Sequence, residues 1–133
     1  MKTVKVTIEK SQTGYSAYME DDSLDYAMFP DEKTVKRTIE AFYEMYEEFR
    51  ESYRQQGKHF EEVEFSFRFD VSSFLEYYSK YISLAGLERL TGVNQKQLGH
   101  YLSGHSKPTR KTIARIEKGV RQFAENLSSV RFI

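Results

Sequence analysis

Residues 83–108, SLAGLERLTGVNQKQLGHYLSGHSKP, decide how the second half of this chain folds. Leu87 and Leu90 give a first short helix an apolar side, Gly92 supplies a tight bend, and Val93 plugs the corner behind it. Leu98 and Leu102 then mark the buried side of a second short helix, which stops at Gly104 with Pro108 four residues on. The positions left over, Asn94, Gln95, Lys96, Gln97, His100 and Tyr101, are expected to face outward as a mix of donors, acceptors and one cation.

Two helices joined by a glycine turn, with a polar outer face on the second, have the spacing of a helix-turn-helix. Base edges need side chains that both donate and accept, which Asn, Gln and His provide. The competing expectation is an ordinary helical hairpin inside a core. The stretch resembles the Xre/Cro-type helix-turn-helix in its small and apolar residues around the turn glycine and in its terminal G-x-x-x-P from Gly104 to Pro108. Two positions depart from that pattern. Glu88 stands where the family usually has alanine, and Leu84 replaces a glutamine that commonly meets a phosphate.

Charge separates the two halves. Net charge over the 133 residues is zero, yet residues 1–70 hold 10 Lys/Arg against 16 Asp/Glu, and residues 71–133 hold 10 against 4. An acidic half followed by a basic half predicts two modules with different partners, although opposite charges would also hold the halves together. The basic half contains the helix-turn-helix, and phosphate neutralisation is what such a field serves.

Cysteine is absent, so disulfides, thiolate zinc sites and cysteine nucleophiles are excluded. The N-terminus alternates charged and apolar residues, unlike a signal peptide, and no segment approaches the ~20 apolar residues needed to span a membrane. A cytoplasmic chain is expected. Of the histidines His59, His100 and His105, the last two have no Asp or Glu near them at ligand spacing, and nucleophile-elbow and phosphate-loop glycine patterns are missing. Adjacent Asp21 and Asp22 fit a solvated turn better than a catalytic pair. No enzyme activity, metal or cofactor is therefore expected.

The first half reads as α+β. Val4, Val6 and Ile8 alternate with polar residues, residues 11–14 are turn chemistry, and residues 15–20 supply a second strand. A short third strand is expected over 25–29. Pro30 and Asp31 are then expected to open a long helix that Gly57 stops, with Val35, Ile39, Phe42, Tyr46, Phe49 and Tyr53 as one stripe. Residues 61–70 close the domain as a strand with Val63, Phe65, Phe67 and Phe69 on one face. The order β-β-β-α-β implies one helix over one face of an antiparallel sheet. The stripe admits three roles: packing on that sheet, a short coiled coil between subunits, or the lining of a ligand cavity. Ten tyrosines and no tryptophan also suit a half-buried, protein-binding face.

Asp70, Ser72 and Ser73 are expected to cap a helix from about Phe74 through Tyr78, Tyr81 and Ile82, with so short a link to the preceding strand that the two domains are closely coupled. After Pro108, Thr109 caps a last helix with Ile113, Ile116, Val120, Phe123 and Leu127 in register. This stripe and residues 130–133 serve either a homodimer seam or burial within one subunit; a two-fold dimer suits a palindromic operator.

Taken whole, the chain resembles a HicB-type antitoxin. The resemblance rests on element order, on residues 14–21 (GYSAYMED) and, more specifically, on the helix-turn-helix. The G-D-T-x-E-E-A helix start common in that family is replaced by Pro30, Asp31, Glu32, Lys33 and Thr34, and the helix is longer than usual. The resemblance implies a HicB-like α+β partner-binding domain over 1–70 and an all-α Xre/Cro-type DNA-binding domain over 71–133. It also implies repression of a shared operon and neutralisation of a small basic HicA-like ribonuclease toxin, which would suit the acidic half. The alternative is a stand-alone helix-turn-helix regulator whose first domain dimerises or senses a small ligand. At the DNA, Asn94, Gln95, Lys96 and Gln97 are placed for the major groove from the helix N-terminus. His100 and Tyr101 lie one turn on, and Lys107, Arg110 and Lys111 are placed for phosphates.

Overall fold

Strand β1 (Lys2–Lys10) is buried at every second residue: Val4, Val6 and Ile8 are fully covered while most of the residues between them reach solvent. A computed structural model describes all 133 residues, Met1–Ile133, as α+β. The chain divides into two compact units, Met1–Asp70 and Val71–Ile133.

In the first unit β1 pairs antiparallel with β2 (Tyr15–Met19), and β2 pairs with a two-residue β3 (Asp31–Glu32). Helix α1 (Val35–Gln55) follows, then β4 (Val63–Phe69). The sheet order is β3-β2-β1-β4, and β4 lies parallel to β1 with Val4 opposite Phe65 and Val6 opposite Phe67. The sheet is therefore mixed, not antiparallel as expected. The cause is the crossover: a helix of 21 residues carries the chain the length of the sheet, so the strand after it starts from the same end as β1.

Two further expectations need correction. No strand forms over 25–29; this segment turns Tyr26 inward, where its ring lies 4.9 Å from Phe49, 5.3 Å from Phe60 and 5.8 Å from Tyr53. Pro30 and Asp31 do not begin the helix either. Asp31 and Glu32 pair with Ser16 and Tyr15, and the hydroxyls of Ser11 and Thr13 each lie 3.1 Å from the Asp31 carboxylate. Gly14 makes that pairing possible, because a Cβ there would fall 2.0 Å from the Glu32 carbonyl oxygen. Thr34 is the true helix cap, accepting the Arg37 N–H at 3.1 Å, and Gly57 ends the helical run at φ +66°.

The α1 stripe packs within its own unit. Phe42 meets Phe65 and Phe67 edge-on at 4.8 and 5.3 Å, and Tyr46 meets Phe65 at 5.0 Å. Tyr46 Oη accepts the Val63 N–H at 3.2 Å, which pins the start of β4 to the helix. Thr38 Oγ1 donates to the Tyr15 carbonyl at 2.8 Å, pinning β2 on the other side.

The second unit holds α2 (Val71–Tyr78), α3 (Leu84–Thr91), α4 (Gln95–Ser103) and α5 (Arg110–Ser128). Helix α2 starts earlier than Phe74 and stops before Tyr81, which is 71% exposed. Leu75, Leu87, Val93, Leu98, Tyr101 and Ile116 form the core, one or two from each helix and turn. Helix α5 crosses the end of α3 at Gly119, where a Cβ would sit 2.3 Å from the Leu90 carbonyl oxygen. No helix is long and apolar enough to cross a membrane.

Candidate nucleic-acid interface

The turn between α3 and α4 is built by three local devices. Gly92 takes the left-handed conformation (φ +74°) and its N–H donates to the Glu88 carbonyl at 2.7 Å. Thr91 Oγ1 donates back to Leu87 O at 2.7 Å and accepts the Val93 N–H at 3.1 Å, which seats Val93 in the core. From α5, Arg115 donates to Gly92 O at 2.7 Å, so a carbonyl at the helix end is satisfied by a side chain.

Helix α4 begins immediately beyond. Asn94 is its cap, its Oδ1 accepting the Lys96 N–H at 2.8 Å, and Glu88 Oε1 accepts the Gln95 N–H at 2.6 Å. Glu88 thus reaches over to close the N-terminus of α4. A carboxylate there is favoured by the helix dipole. It also occupies an N–H that would otherwise be open to a phosphate.

Asn94, Gln95 and Lys96 are exposed. Gln97 is half-buried and donates through Nε2 to Ser106 Oγ at 3.3 Å. His100 is half-buried, its ring 4.7 Å from that of His105. Tyr101 is a correction: it is 5% exposed and belongs to the core with Leu98. Leu98 and Tyr101 are three residues apart and share a helix face, so the ring expected to face outward completes the apolar side of α4. Tyr101 is not available to a partner.

After α4 the chain folds back along it. Gly104 (φ +80°) donates to Tyr101 O at 3.2 Å, and Ser106 donates to His100 O at 3.3 Å. Lys107, Arg110 and Lys111 follow, all exposed, with Thr109 capping α5 through Thr112 N–H at 3.3 Å. None of Lys96, Lys107, Arg110 or Lys111 forms an ion pair, whereas Arg121 further along α5 meets Glu117 at 3.1 Å.

Two neighbours of this surface escaped the sequence analysis: Ser106, which holds Gln97, and Arg115, which caps α3. The surface therefore consists of exposed Asn94, Gln95 and Lys96, half-exposed Gln97 and His100, and a run of unpaired cations after Gly104. Compared with known proteins, the chain matches no family model, no curated protein and no solved structure.

Proposed function

We propose that the chain is a sequence-specific DNA-binding repressor that works as the antitoxin of a type II toxin–antitoxin pair. Its second unit is a helix-turn-helix of Xre/Cro type with α4 as the recognition helix, and its first is a HicB-like domain that neutralises a small basic HicA-like ribonuclease toxin. The observation that carries the DNA reading is the outer face of α4. Polar side chains able to read base edges are exposed there, and four cations on and after α4 have no acidic partner. Gln95 and Gln97 suit adenine and Lys96 suits guanine; each good pairing discriminates by about 1–3 kcal/mol. Lys107, Arg110 and Lys111 take phosphates.

Two copies read an operator with two-fold symmetry. Their seam is the open side of α5 with the tail that follows it: Ile113 is 41% exposed and Leu127 57% on the helix, and Phe132 94% beyond it. The acidic surplus of residues 1–70 suits a basic toxin.

The test is selection from a random double-stranded DNA pool by the full chain. Recovery of one palindromic sequence is the expected result, with preference at single positions relaxed in Gln95→Ala and Gln97→Ala. Recovery of no sequence, or retention of the same preference by both variants, overturns the DNA reading. The partner reading is tested by co-expression with the small basic protein encoded beside the chain. A stable complex and relief of growth arrest are expected, and toxicity undiminished by the chain refutes it.

A further inference from the structure

Between β2 and β3 the chain leaves the sheet and borders a shallow, open concavity of about 380 Å³. Asp21, Asp22 and Asp25 stand around it, and Met19, Leu24 and Phe29 give it apolar walls. The three carboxylates differ from those on and beside α1. There Glu44, Glu47, Glu51 and Glu62 each meet an arginine. Around the concavity the hydrogen-bond donors to the carboxylates are neutral: Ser23 N–H donates to Asp21 at 2.9 Å and Tyr53 Oη–H to Asp25 at 2.8 Å. Hydrogen bonding from Ser23, helped by the more distant Lys2 and Lys5, holds the Asp21 carboxyl below its ordinary range.

A further feature points to an occupant. Phe29 is 70% exposed although Met28 and Pro30 on either side of it are fully buried.

The walls and the charge together select the chemistry. No three of the chain's His, Asp and Glu side chains converge closely enough to hold a metal ion. A long cationic side chain fits better: its methylene stem lies along apolar surface while its head donates charge-assisted hydrogen bonds to carboxylates. The surplus of acid in residues 1–70 extends the same complementarity to a basic protein as a whole.

We propose that this concavity is the docking site for a segment of a basic partner protein that carries lysine or arginine beside apolar residues. The proposal rests on the partner-binding half of the function above and names the surface it uses.

The experiment is an amide NMR titration of the full, isotope-labelled chain with acetyl-Leu-Arg-Leu-Lys-Leu-amide, and with acetyl-Leu-Glu-Leu-Asp-Leu-amide as control. Saturable shifts confined to residues 19–29 are expected with the basic peptide only. The triple variant Asp21→Asn, Asp22→Asn, Asp25→Asn should weaken binding about tenfold, since several exposed charge pairs add modestly. Phe29→Ser should weaken it without changing the response to salt, which covers the case in which the triple variant does not fold. Shifts spread over the whole acidic surface, unchanged affinity in both variants, or calcium ion displacing the peptide would each overturn the docking site. Failure of the wider function separates cleanly. If the triple variant still captures a toxin at full strength, the docking site falls and the antitoxin reading stands. If the peptide binds here while no toxin is captured and no DNA is selected, the reverse holds.

Discussion

Helices α1 and α5 are 21 and 19 residues long and carry apolar stripes of nearly the same spacing, yet they are covered very differently. Along α1 the stripe meets the sheet and an aromatic cluster for its full length: Val35, Phe42 and Tyr46 are buried, and Phe49 and Tyr53 pack on Tyr26. Along α5 only Ile116 is buried, Val120 and Phe123 are half-covered, and Leu127 lies open. Periodicity states which side of a helix is apolar. It does not state what covers that side, and a stripe that outruns its own core is where a second molecule is to be sought.

The largest effect should come from the covered helix. Phe42→Ala is expected to destabilise the first unit by about 3–5 kcal/mol, because a fully buried ring in edge contact with Phe65 and Phe67 leaves a cavity. Urea denaturation followed by tyrosine fluorescence would measure it; a change under about 1 kcal/mol would mean the stripe is not core.

Next is the point where α5 does touch its unit. Gly119→Val places a Cβ and two methyls against the α3 backbone and should cost about 1–3 kcal/mol. An unchanged melting profile would mean that the α3–α5 crossing is not close-packed.

The same comparison shows how much could be read in advance. Helices α3, α4 and α5, the bend at Gly92, the stop at Gly104 and the cap at Thr109 were legible because each rests on local chemistry: a left-handed glycine, or a hydroxyl facing an N–H. The parallel pairing of β4 was not, since alternation marks a strand without naming its neighbour. Residues 25–29 alternate like a strand because Tyr26 and Met28 turn inward, but no neighbouring strand accepts their backbone. Asp31 and Glu32 look like the acidic first turn of a helix; their pairing with β2 depends on the bare Cα of Gly14, seventeen residues away from Asp31 in sequence. At the site, Asn94, Gln95 and Lys96 were legible as exposed. Tyr101 was not, because a tyrosine's hydroxyl makes it look equally at home on either side of a helix.

A smaller effect on stability, but a sharper test of the contrast, is Leu127→Ser on the open part of α5. The isolated subunit should change by no more than about 0.5 kcal/mol. Sedimentation should nevertheless show a shift from dimer toward monomer. A chain that is monomeric before and after the substitution would leave the α5 stripe without a partner copy.

The smallest effect is electrostatic and lies on the solvent side of α1. Hydrogen bonding from Arg37 holds the Glu44 carboxyl below its ordinary range. A carboxyl whose folded pKa is depressed adds stability above its unfolded pKa, and that stability is lost as pH falls through the folded value. Arg37→Gln should therefore slightly flatten the acid side of the stability profile and leave neutral pH nearly unchanged, since the pair is exposed. An equal acid slope in both proteins would contradict the pairing.

The claim on which the functional account turns is that the polar side of α4, with the cations that follow it, lies against nucleic acid. The most direct test is the salt dependence of DNA binding, measured by fluorescence anisotropy for the native chain and for the variant Lys107→Gln, Arg110→Gln, Lys111→Gln. Affinity of the native chain should fall linearly on logarithmic axes, and the variant's slope should be shallower by about 0.9 for each phosphate it no longer neutralises. Equal slopes, or no binding by the native chain even at low salt, would contradict the account.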